Sequence, residues 1–208
     1  MRLPFRLHVT NLLLVLGFAA LAGSFALPHW TAARVARIET RAEEIVAMLA
    51  ELAPRPGILD GTDPAQGPGA LAAAELLAEA RRRGAALGHP LSWLVDPVPA
   101  ATTPDCLAFV CKHYAFLVAR TPPSVGTLRE VPLAERPIEV WGWPREEDGA
   151  GRSVFQFRAG RAWFCRNLNG RYLGEARAPT PGLGQPRKAT DTDWYWGTDG
   201  ERWLARRG

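Results

Sequence analysis

Residues Val9 to Leu27 read VTNLLLVLGFAALAGSFAL and carry no charge. A helix needs roughly 20 apolar residues to cross a bilayer, and this run is long enough to do so. It passes directly into PHWTAARVARIETRAEEIVAMLAELAP, where Val35, Ile38, Ala42, Ile45, Leu49 and Leu52 recur at steps of three and four. That spacing is the stripe of a helix with one buried face. An apolar segment of this kind has no place in a small soluble core. The rest of the chain must therefore fold as a head behind an anchor and an amphipathic helix.

Arg2 and Arg6 precede the apolar run, and no acid appears before Glu39. A basic flank before an apolar core marks a signal peptide or a signal anchor. Small residues from Ala20 to Ser24 would suit a cleavage site. However, the run exceeds the roughly 7–15 residues of a signal-peptide core, and the helical stripe continues past it. An anchor is expected, with Leu12, Leu13, Leu14, Val15 and Leu16 in lipid or in helix packing. The basic flank belongs in the cytoplasm, which puts the head outside it.

The 208 residues suit one domain plus an anchor, and the 20 glycines and 18 prolines suit a loop-rich head. The net charge of +4 comes from scattered arginines, with no run longer than Arg81-Arg82-Arg83. A nucleic-acid surface clusters its cations beside stacking aromatics, so nucleic acid is not an expected partner. The three arginines fall in the last turn of an expected helix, where cations suit the dipole.

An apolar N-terminal helix, an amphipathic continuation and a small β-containing head together resemble a type IV pilin or a type II secretion pseudopilin. Those families carry a basic leader, then Gly-Phe-Thr-Leu-x-Glu, then the apolar run. The matching window here is Arg6-Leu7-His8-Val9-Thr10-Asn11, followed by Leu12 to Leu16. Arg6 stands at the Gly cut by the family's peptidase, and Asn11 at the Glu that pairs with a neighbour's N-terminus. Both departures imply an uncut chain without that pairing. Pro28 falls where many pilins place a helix-kinking proline. The resemblance implies a non-catalytic structural or assembly role in a bacterial envelope and a single-pass inner-membrane location. It also implies sister subunits or secretion-system components as partners. Any other single-pass anchor is the plain alternative.

The expected fold class is α+β. The parts are a basic flank over 1–8, a membrane-spanning helix over 9–28, an amphipathic helix over 29–53, connections with one helix over 54–112, and an antiparallel head over 113–208. The amphipathic helix starts near Thr31 or continues through a kink at Pro28, and ends before Pro54. The second helix is expected over 70–87, from its alanines and leucines and the stop at Gly88. His89 to Pro104 reads as a Pro-rich connection. From His113 the period changes to two. Segments 114–119, 137–144, 153–158 and 161–166 read as a meander of three or four strands, with Ala159-Gly160 as one hairpin turn. Trp143-Pro144, Gly151, Phe155, Gly160 and Phe164 are similar in arrangement to heads of pilin-like proteins and to some secreted bacterial domains. Helices before strands exclude alternating βα units.

The sequence contains no Gly-x-Ser-x-Gly, Gly-x-Gly-x-x-Gly or His-Glu-x-x-His motif. No enzyme activity, cofactor or metal is expected. His113 lies close to Cys111, but neighbours on a strand do not converge as a nucleophile and base must. Cys106, Cys111 and Cys165 lack the paired spacing of a zinc site. Outside the cytoplasm they would allow one disulfide, with Cys106–Cys111 the local pair and Cys165 the alternative partner for either. Trp194, Tyr195, Trp196 and Trp203 form a dense aromatic cluster beside Asp191, Asp193, Asp199 and Glu201. Such a platform would serve a ligand or partner. Alternatively it closes over the sheet, with Trp194 and Trp196 on one face of a last strand and Tyr195 on the other. The acids make only a fragment of a calcium loop.

Overall fold

The computed structural model describes residues 4–54, 78–79, 82–83, 94–97, 106–121, 135–146, 151–186 and 193–206, with the backbone alone for 4–10 and 94–97. The chain divides into two compact units, residues 1–37 and 38–208.

The first unit is helical. Helix α1 spans Pro4–Leu52 and passes through Pro28 without ending, so the second of the two expected starts for the amphipathic segment is the one realised. Among the described side chains of this unit, Leu12 to Leu16, Phe18, Leu21, Phe25, Leu27 and Trp30 are all exposed, and Val35, the first residue of the predicted stripe, is half-buried. The segment is long and apolar enough to cross a membrane.

The second unit holds the last turns of α1 and an eight-stranded antiparallel sheet. Its strands are β1 (Leu94–Pro97), β2 (Cys106–Cys111), β3 (Tyr114–Arg120), β4 (Ile138–Pro144), β5 (Val154–Arg158), β6 (Arg161–Cys165), β7 (Trp194–Trp196) and β8 (Arg202–Ala205). The order is β1-β2-β3-β4-β5-β6-β8-β7, a six-strand meander with a final hairpin added through β8. The β5–β6 turn needs positive φ at both central residues, and Ala159 (50°) and Gly160 (76°) supply it.

Two of these strands lie before residue 113, where connections and a helix were expected. β2 reads CLAFVC and is buried at every position. A strand covered on both faces loses the alternation that marks a strand in sequence. The expected helix over 70–87 lies outside the described residues except for Ala78, Glu79, Arg82 and Arg83, which are helical. Arg83 there pairs with Glu51 of α1 at 2.8 Å.

The sheet separates two cores. On one face Ile38, Ala42, Ile45, Val46, Leu49 and Leu52 of α1 meet Phe109, Phe116, Val118, Val140 and Phe155. From Ile38 onward the predicted stripe is thus the buried one, widened by Val46, Ala50 and Ala53. Gly142 allows the approach: a Cβ there would lie 2.8 Å from Val46 Cγ2 and 3.0 Å from the Phe116 ring. Glu39 ties the helix to the start of β5 by accepting the N–H groups of Arg152 and Ser153, both at 3.1 Å. On the other face Trp141, Trp143, Cys165, Tyr172, Tyr195 and Trp203 pack together. That face is covered by chain from 167 to 186, which has little regular structure. Gly184 sits against Trp141 and Trp203.

Candidate functional site

The four C-terminal aromatics fall on opposite faces of the final hairpin. Trp194 pairs with Leu204, Tyr195 with Trp203, and Trp196 with Arg202. Period two then sends Tyr195 and Trp203 inward and leaves Trp194 (44% exposed) and Trp196 (53%) in the open. The cluster is therefore one buried pair and one exposed pair.

The buried pair is structural. Asp199 reaches back from the hairpin turn and accepts the Tyr172 hydroxyl (2.6 Å), the Trp203 indole N–H (3.0 Å) and the Glu201 N–H (3.1 Å). The Trp203 ring meets Trp141 edge-on at 5.5 Å. Burial, and then the Asp199 acceptor, raise the Tyr172 hydroxyl well above the ordinary phenol range. Burial, with the Asp199 charge second, raises the Glu201 carboxyl. Two of the four acids beside the aromatics thus serve the fold. A third, Asp193, pairs with Arg161 at 2.5 Å, and Asp191 lies outside the described residues.

The exposed pair shares its surface with cations. The Arg202 guanidinium lies 4.9 Å from the Trp194 ring centre, and Arg206 lies 4.9 Å from that of Phe164. Both distances fall within the range of a cation–π attraction. This face presents flat aromatic area beside the Arg202 guanidinium, while Arg206 is also paired with Glu43 at 2.8 Å.

A second polar feature lies inside the sheet. Glu139 is fully buried; its Oε2 accepts the Trp141 indole N–H (3.2 Å) and the Gly182 N–H (3.1 Å). Glu139 Oε1, Gln156 Nε2 and Arg158 Nη1 are buried without a partner among the described residues. Glu139 stands opposite Arg158 in register, and Trp141 opposite Gln156. The alternation of β4 and β5 made both polar positions readable as strand residues, but nothing in the sequence marked them as interior.

The cysteines correct an expectation. Cys106 and Cys111 occupy the two ends of β2, five residues apart, and belong to opposite cores. A strand rises about 3.3 Å per residue, while a disulfide needs Cα atoms within roughly 7 Å, so the local bridge cannot close. None of the three cysteines is in a disulfide, and all three are buried. Cys111 Sγ donates to the Tyr114 carbonyl at 2.8 Å, and burial raises its pKa. Burial also raises the Cys165 thiol far above its usual range. A thiol held in the protonated form is a poor nucleophile. This gives the Cys111–His113 pair no chemical support.

A cleft of about 530 Å³ lies beside the end of α1, lined by Ala50, Ile138, Val140 and Phe157 with Arg120 and Arg136. Arg120 Nη1 donates to the Arg136 carbonyl at 3.1 Å. Its described lining is apolar with cations and contains no acid–base pair. Among the described residues no three of His, Cys, Asp and Glu converge as metal ligands.

Compared with protein-family models, with curated proteins and with solved structures, the chain has no match.

Proposed function

We propose that this protein is a single-pass, membrane-anchored envelope protein without catalytic activity, and that its head serves a structural or assembly role of the pilin-like kind. The observation that carries this reading is a division within α1. From Leu12 to Trp30 its large apolar side chains are exposed, whereas from Ile38 onward one stripe is buried on the sheet. Uniform apolarity suits lipid, and a single stripe suits a core. The head lies outside the cytoplasm, because the cations at Arg2 and Arg6 stay inside.

Labelling of intact cells with a membrane-impermeant maleimide tests the orientation. Glu135 is exposed, and the native cysteines are buried. Glu135→Cys should label in intact cells, whereas labelling only after lysis would reverse the topology. Intact mass of the extracted chain tests the leader. Retention of Met1 to Arg6 is expected, and a chain starting at Leu7 would instead mean pilin-type processing.

A second reading is favoured by the exposure of Trp194 and Trp196: an anchored binding module whose open aromatics hold a ligand. Quenching of tryptophan fluorescence on titration with soluble glycans or peptides, abolished by Trp194→Ala, would favour it over a purely structural head.

A further inference from the structure

The antiparallel register gives the second unit two distinct ends. Tyr114 stands opposite Pro144, Val154 opposite Cys165, and Trp196 opposite Arg202. The β2–β3 turn, the residues just before β5, the chain leaving β6 and the final hairpin turn therefore all lie at one end of the sheet. This is also the end at which α1 enters, because Glu39 is bonded there to Arg152 and Ser153. The last turn of α1 lies at the other end, where Ala50 and Pro54 line a cleft with Ile138 and Gly160.

Among the described residues the entry end carries more exposed cations than acids. Lys112, Arg152, Arg166, Arg171 and Arg202 are all exposed on its turns and strand ends. Its exposed acids among the described residues are Glu146 and Glu175, since Asp199 and Glu201 are buried. Two large apolar side chains project among these cations: Leu168 is 72% exposed and Trp196 is open. Leu168 also lines a cleft of about 200 Å³ with Pro144, Arg152 and Asn167. At the opposite end Arg120, Arg158 and Arg161 are half-buried, Arg161 is paired with Asp193, and the exposed Arg206 is paired with Glu43 at 2.8 Å. Exposed guanidinium groups interleaved with a bare leucine and an indole match the chemistry of an anionic lipid surface. Phosphates take the cations, and the interfacial layer takes the apolar tips.

The tether brings such a surface within reach. Only eleven residues carry the chain from Leu27, the last residue of the apolar run, to Ile38, where the second unit begins. We infer that this basic end of the head docks on the anionic phospholipid headgroups of the leaflet from which the anchor emerges. The inference rests on the anchor proposed above, and it names the surface that the head contacts.

The test uses the full chain at one copy per lipid nanodisc, which removes contact between copies. A spin label on Leu168→Cys reports the docked end, and a label on Glu135→Cys reports a position outside it. In discs containing phosphatidylglycerol, the label at 168 should collide less with a water-soluble nickel complex than the label at 135. In discs of phosphatidylcholine alone the difference should shrink. Each removed cation should lower the docked fraction's ratio about fivefold, so Arg166→Gln should weaken protection and Arg152→Gln with Arg166→Gln should abolish most of it. Circular dichroism should stay unchanged in both variants, and high salt should reproduce their effect. Equal nickel access at 168 and 135, or protection indifferent to lipid charge and to both variants, would overturn the docking. Failure of the anchor reading gives a different signature: full-length protein recovered in the aqueous fraction without entering discs.

Discussion

Gly142 is where the helix comes closest to the sheet, and its missing side chain is a packing requirement. Val46 Cγ2 and the Phe116 ring occupy the space a Cβ would need. Gly142→Val should cost about 1–3 kcal/mol by overpacking. Val46→Ala alone should cost about 2 kcal/mol through the cavity it leaves. Together they should cost less than the sum, because each relieves the other's defect. Chemical denaturation of the three variants measures this coupling. Glu201 makes a separate residue-scale case. Burial and the Asp199 charge raise its carboxyl above the usual value, so the folded state binds that proton more tightly than the unfolded chain. Its contribution is present below the unfolded pKa and is lost as pH rises through the higher folded one. Glu201→Gln keeps the shape and removes the charge. Its stability relative to wild type should therefore rise as pH increases above the ordinary carboxylate range, read from paired Tm values. A pH-independent difference would remove Glu201 from the account.

At the scale of elements, the final hairpin separates packing from display. Trp203 is fully buried, meets Trp141 and donates to Asp199, whereas Trp194 and Trp196 are open. Trp203→Ala should cost about 3–5 kcal/mol. Trp194→Ala and Trp196→Ala should each change stability by no more than about 0.5 kcal/mol. Equal losses from all three would mean that the outer tryptophans are covered. The alternation that separates them was legible in the residues Trp194-Tyr195-Trp196, as was the stripe from Ile38 to Leu52. The strand β2 was not, because CLAFVC is buried on both faces and carries no period. The cover over 167–186 was also illegible. Its Gly- and Pro-rich composition reads as a plain loop, yet it brings Tyr172 to Asp199 and Gly184 onto two indole rings. Neither Glu139 nor Gln156 could be recognised as interior from β4 or β5 alone, since burial there depends on that same cover. The basic end of the sheet was hidden for a related reason. Lys112, Arg152, Arg166 and Arg202 are far apart in the chain, and only the strand register gathers them.

For the whole molecule, the fold explains why one helix carries two kinds of surface. The sheet needs an apolar cover only along Ile38 to Ala53, and those residues provide it. The residues from Leu12 to Trp30 have no such counterpart among the described residues, and their exposed side chains suit hydrocarbon. The direct measurement is the partition of the full-length chain, with its N-terminal residues verified by intact mass, between membrane and supernatant after alkaline carbonate extraction. The chain should stay with the membranes until detergent is added. Recovery of the intact chain in the supernatant would contradict it.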